Sequence, residues 1–180
     1  MLIPNLIFLY HVIVASENLL RVAIAETSDA PLKEYFEKHL EEERGHAEWL
    51  AEDLKCVGID VTQTEVPLLA VQMVGSVYYL IFHAHPAALL GYMRVQEGWP
   101  MDKARFAELG KPYPAALLRT LNYHIDHDPD HLKDLLAIID SLPERHKLIA
   151  DVAVMTQNHL FQAARQIWAP HLIAATSAAA

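Results

Sequence analysis

Between Asn122 and Leu132 the chain reads NYHIDHDPDHL, with three histidines and three aspartates in eleven residues. His124, Asp128 and His131 stand at i, i+4 and i+7, and on an α-helix they fall within an arc of about 60°. Two imidazoles and a carboxylate on one face suit a first-row metal. The alternative is a solvated acidic turn between two helices. Pro129 biases Asp128 away from helical backbone and removes a donor, which predicts a kink or break here and a ligand segment that orders when metal arrives.

A second donor pair lies upstream. Glu43 and His46, within HLEEERGHAEW from His39 to Trp49, form an E-x-x-H pair, neighbours on one helical face at i, i+3. Carboxylate-bridged di-metal sites in helical bundles take such pairs from two helices and single glutamates from two others. Asp128-x-x-His131 is a second pair of the same shape, with Asp for Glu. Glu97 is the only acid between Glu65 and Asp102. If buried at the end of so apolar a stretch it needs a cation, a hydrogen-bond partner or water; alternatively Gly98 opens the helix end and Glu97 meets solvent. Glu43, His46, Glu97, His124, Asp128 and His131 offer three imidazoles and three carboxylates, which suits two octahedral irons or manganese ions better than one structural zinc. Glu42 and His39 share nearly the same face as His46, and either could replace or supplement Glu43. His11, His83, His85, His127, His146 and His159 read as packing, surface or hydrogen-bonding residues.

Helices must carry these donors. Apolar residues at 6, 9, 13, 20 and 24, with a polar strip through Glu17 and Arg21, predict a helix from Leu6 to about Glu26. Asp29 as N-cap and Pro31 in the first turn start a second, which runs to Val57 and closes at Gly58. Val66 to Met93 holds no Asp, Glu, Lys or Arg and is long enough to span a bilayer. Its histidines sit mid-stretch, where lipid would penalise them, so it reads as a central helix buried on most sides by protein and interrupted at His85-Pro86. A short helix from Asp102 to Leu109 precedes the breaker GKPYP. Another from Ala115 to Ile125 delivers the histidine cluster, one follows Pro129 to Ser141, and the last runs from Pro143 to about Trp168, with a frayed Ala-rich tail. No stretch reads as a strand, and no repeat or linker is evident. The expectation is one all-α domain, residues 1–180, of roughly seven helices.

The 180 residues are 53% hydrophobic and carry a formal charge of −9, enough chain to bury about 70% of its unfolded surface. No basic cluster exceeds two residues, which argues against nucleic acid as a partner. Cys56 is the only cysteine, so no intrachain disulfide forms and a reducing, cytoplasmic setting fits. The apolar first fifteen residues lack the basic start of a cleaved signal. A small molecule is the expected partner, with no membrane, and a homodimer is compatible.

Three segments resemble a known group of proteins. HLEEERGHAEWLAEDLKCVG from His39 to Gly58 resembles the second-helix signature of the heme-oxygenase-like di-iron oxidases, or iron-containing redox enzymes, whose fold is shared with thiaminase-like and pyrroloquinoline-quinone-synthase-like proteins. HPAALLGYMRVQEG from His85 to Gly98 resembles their central helix with its metal-bridging glutamate, and HIDHDPDH from His124 to His131 fits their H-x-x-x-D-x-x-H. The resemblance implies a heme-oxygenase-like helical bundle, with first iron ligands at Glu43 and His46, a bridge at Glu97, the remainder at His124, Asp128 and His131, and no catalytic residue beyond these. Some members carry a glutamate seven residues before the histidine; His39 stands there instead, leaving Glu43 or Glu42 as the first carboxylate. It further implies two labile Fe(II) ions, O2 as co-substrate, and oxidation of an amino acid, fatty acid or amine. Apolar residues around Tyr78, Tyr79 and Tyr92 are expected to line a dry pocket. Arg44 or Arg94 is expected to anchor a substrate carboxylate, a surface ion pair being the alternative for both.

Other activities have weaker footing. A heme oxygenase needs a proximal histidine in the first helix, where His11 stands, but also a glycine-rich distal helix, which is missing. A thiaminase-like hydrolase needs a cysteine nucleophile, and Cys56 sits near a helix C-terminus, where the dipole disfavours a thiolate. A metal-storing, ligand-sensing or partner-binding relative is the non-catalytic alternative.

Overall fold

The computed structural model describes residues 2–98 and 102–178, except for the side chains of Arg105, Leu109, Asp128, Pro129 and residues 168–178. All its regular elements are helical: α1 (Leu2–Glu26), α2 (Ala30–Glu42), α3 (His46–Lys55), α4 (Leu68–His83), α5 (Ala88–Gln96), α6 (Lys103–Gly110), α7 (Arg119–Asp140) and α8 (His146–Ala178). Short 3-10 turns at Val61–Gln63, Ala115–Leu118 and Pro143–Arg145 join them.

The first departure from the sequence reading lies in the donor region. Asp29 does cap α2, accepting the Leu32 N–H at 2.9 Å, but the helix expected to run from Pro31 to Val57 is two helices. The chain breaks over Glu43, Arg44 and Gly45, and Gly45 has φ +87°. An L side chain pays about 1–2 kcal/mol for left-handed backbone, which glycine avoids. The only sequence sign of the break is that glycine inside an otherwise helical pattern.

α1 packs against α2, α3 and α4, and α5 lies mainly against α8. α1 is long and apolar enough to cross a membrane by length and composition, and it places Leu6, Phe8, Val12, Ile13, Leu19, Leu20 and Ala23 in the interior. The long uncharged stretch divides at Ala84–Ala87, where the His85 ring accepts the Ala87 N–H at 3.1 Å. Only its second half is enclosed: every residue from Ala88 to Met93 is buried. α4, expected to be buried on most sides, exposes Leu68, Val71, Tyr79 and Phe82.

α7 corrects a second expectation, because it runs through Pro129 as an uninterrupted helix. The proline removes one donor, and packing on either side outweighs that loss. Before it, the buried Asp53 of α3 accepts the Thr120 N–H at 2.8 Å and the Thr120 hydroxyl at 2.7 Å, and Arg119 Nε stands 3.0 Å from its other oxygen. After it, Leu135 is fully buried and Asp134 pairs with Lys38 of α2. α8 likewise continues past Trp168 to Ala178, where a frayed tail was expected. Because Asp53 pins α3 to the start of α7, Asp53→Ala leaves buried donors unpaired and should cost about 2 kcal/mol. A lowered urea midpoint at unchanged slope is the expected reading.

Candidate metal centre

α3 starts at His46, directly after the left-handed Gly45, so Glu43 sits in the break and turns back: its Oε2 is 3.1 Å from His46 Nδ1. α7 brings His124 alongside, its ring 4.8 Å from that of His46 and nearly perpendicular to it. One donor atom each from Glu43, His46 and His124 lie within 4.8 Å of one another. His39 of α2, Glu97 at the end of α5 and His131 of α7 form a second group meeting the same limit. The groups adjoin, since His39 Nε2 is 3.2 Å from Glu97 Oε1 and 4.0 Å from Glu43 Oε1. Glu42 stands at the edge, its Oε2 3.8 Å from His39 Nδ1 and 3.9 Å from His131 Nε2.

Each group is two imidazoles and one carboxylate, the set that holds non-heme Fe(II) with open coordination positions. His46, His39, Glu43 and Glu97 are all buried. Within the two groups His46 Nε2, Glu97 Oε2 and His131 Nδ1 are buried without a hydrogen-bond partner. Polar atoms orphaned in this way are costly in a protein interior unless a cation takes them. The donor set therefore fits two divalent cations.

Burial works to raise the Glu43 carboxyl, but the hydrogen bond from His46 and the charges of His39, His46 and His124 outweigh it and hold the group at about 2. For His39 burial works downward, and the hydrogen bond to Glu97 with the charges of Glu97, Glu43 and Glu42 raises it above its ordinary 6.5. The Glu43 contribution to stability is thus present above pH 4.5 and lost as pH falls toward 2. That of His39 is present below pH 6.5 and lost as pH rises through its raised folded value. Metal-free protein should melt highest between pH 4.5 and 6.5 and progressively lower as pH rises beyond that window. Saturating divalent metal should remove the alkaline decline, because binding displaces the imidazole proton; thermal melts with chelator and with metal make the comparison.

Of the residues named from sequence, Glu43, His46 and His124 share one group, and Glu97 and His131 share the other. His39, expected to replace or supplement Glu43, stands in the other group with Glu97 and His131. Asp128 follows His124 by one turn on α7, but its side chain lies outside the described residues. Arg44 is exposed in the break and pairs with Glu41, and Arg94 donates to the Gly98 carbonyl at 3.3 Å; neither lines the cavity.

That cavity, of about 210 Å³, adjoins both groups, with His39, Glu43, Glu97 and His124 on its wall. The rest is largely apolar, built from Leu9, Val12, Ile13 and Leu20 of α1 and Leu89 and Met93 of α5. Tyr92 lines it as expected, its hydroxyl 2.7 Å from that of Ser16. Tyr79 is instead exposed, and Tyr78 lines a separate groove with His11. The α1 wall went unassigned in the sequence, although positions 9, 13 and 20 belong to the apolar stripe that defined the helix.

The fold is a heme oxygenase-like helical bundle. The chain is similar to a domain of unknown function with a heme oxygenase-like fold from Shewanella denitrificans OS217, whose crystal structure matches it with a TM-score of 0.69 over 95% of this chain and 78% of that one, at 15% identity. No protein-family model matches the sequence, and no curated protein does.

Proposed function

We propose that this chain is a non-heme di-iron oxidase that uses O2 to oxidise a small, mainly aliphatic substrate. The observation that carries this reading is the pair of adjoining two-histidine, one-carboxylate groups beside an apolar cavity. Glu43, His46 and His124 would hold one iron and His39, Glu97 and His131 the other, with manganese as a second fitting metal. When bound, the metal pair supplies electrons to O2. Glu43 and Glu97, the carboxylates nearest both groups through His39, are the candidates for bridging.

The protein's part is to orient the substrate and keep water out. The α1 side chains give the cavity much of its apolar lining beside the donors, and the Ser16–Tyr92 hydrogen bond satisfies the two hydroxyls there. No arginine or lysine lines the cavity among the described residues. Of the expected substrate classes, that favours the alkyl chain of a fatty acid or amine over a charged amino acid head group. Cys56, by contrast, is exposed at the end of α3, and His11 is bonded to Thr64, with neither lining this cavity.

The test is anaerobic loading with Fe(II), metal counting, and mixing with O2 in the presence of aliphatic acids and amines. Substrate-triggered O2 uptake with an oxidised product is the expected result. Iron bound stoichiometrically without O2 consumption in any mixture would move a storage or sensing role ahead of the oxidase.

A further inference from the structure

A run of aromatic rings leads outward from the first group. Trp49 of α3 follows His46 by one turn, with ring centroids 4.6 Å apart. Tyr123 of α7 is 5.1 Å from His46 and meets Trp49 edge to face at 5.2 Å. The Tyr123 ring in turn stacks on His127 at 4.0 Å and 14°. Burial falls along this path: His46 is fully buried, Trp49 and Tyr123 are half-buried, and His127 is exposed. An indole and a phenol, both oxidisable by one electron, therefore touch one donor ring and each other and reach solvent. The second group has a different neighbour, for His39 stacks with Tyr35 at 6.0 Å, and the Tyr35 hydroxyl is buried without a partner.

We propose that Trp49 and Tyr123 form an electron relay that discharges the centre when O2 has reacted and no substrate is bound. The inference rests on the di-iron reading above. Reducing O2 to two waters takes four electrons; two ferrous ions supply two, and the substrate normally supplies the others. Without substrate, Trp49 gives one electron to the oxidised centre through the His46 ring. Tyr123 refills Trp49 and releases its phenolic proton to solvent, and an external thiol gives a hydrogen atom to the resulting tyrosyl radical. A second round completes the reduction, with the protons for water drawn from solvent and two thiols ending as one disulfide. The path turns an oxidising event inside the protein into a repairable radical at its edge, sparing the imidazoles that hold the metal.

The experiment uses the full chain, loaded with Fe(II) and mixed with O2 without substrate or thiol, then frozen for electron paramagnetic resonance. Wild type should give a tyrosyl radical that added glutathione removes. Tyr123→Phe should abolish that signal and raise oxidation of His46, His124 and Trp49 several-fold in peptide maps. Trp49→Phe should slow its appearance several-fold. Both variants keep a ring in place, so iron content and melting temperature should match wild type, and Tyr79→Phe, on the exposed face of α4, should keep the full signal. A radical that persists in Tyr123→Phe, unchanged peptide maps, or no radical in iron-loaded wild type that consumes O2 overturns the relay alone. Failure to load iron overturns the relay and the proposed function together.

Discussion

Replacing His46 or His131 by alanine should lower bound iron from two per chain to about one and abolish substrate oxidation, while His146→Ala retains both. Each replacement removes one of two imidazoles from one group. Coordination demands a nitrogen within about 2.2 Å at a fixed angle, which a neighbouring histidine cannot supply without rebuilding the helix that carries it. His146 is the control because it is exposed, outside both groups, and its ring bonds the Ile139 carbonyl at 3.0 Å. Metal counting distinguishes loss of a site from loss of the fold, because a variant that still binds one iron has kept its bundle. Full iron content in both site variants would mean that the two groups are not where metal binds.

The second large effect is on stability. A methyl group added at Gly91 would meet the Ile149 carbonyl oxygen, with Val152 Cβ at 2.8 Å and Ala153 N at 3.0 Å. Two of those three obstacles are backbone of α8, which cannot swing aside as a side chain can. Gly91→Ala should therefore pry α5 from α8 and cost about 3 kcal/mol, lowering the melting temperature by roughly 6–12 °C in a chain of this size. Glu97 caps the C-terminal end of α5, so the same change should weaken metal binding in the group of His39 and His131 before it affects the other. Gly75→Ala makes the contrast: nothing lies within 4 Å of its added methyl, and a helical alanine in place of glycine should stabilise by about 0.5–1 kcal/mol. Thermal melts of the two variants side by side test the reading.

The all-helical architecture was legible because apolar periodicity and breakers speak locally, and the interruption at His85-Pro86 was read from one proline. The spacing of His124 and His131 likewise survived into the structure, on one helix. Two things were not legible for physical reasons. The break at Gly45 depends on one residue's backbone angle, and the helical pattern on either side is in phase enough to conceal it. The place of His39 beside Glu97 depends on where α5 ends relative to α2, a contact between residues 58 positions apart in the chain. Pro129 misled in the other direction: a local penalty was read as decisive, whereas Asp53 and Leu135 anchor α7 on both sides of it.

His39 and His46 are seven residues apart, as are His124 and His131, and they meet in reverse order: His46 with His124, His39 with His131. The two segments thus run past each other like opposed rulers with matching marks, and the centre exists only at the alignment where both marks coincide. Sliding α7 by a single turn, about 5.4 Å, would separate both histidine pairs at once. One residue inserted between Asp130 and His131 would swing His131 about 100° around the helix axis and leave His124 in place. On the proposed di-iron reading, such an insertion would leave one metal site of two without touching a single donor.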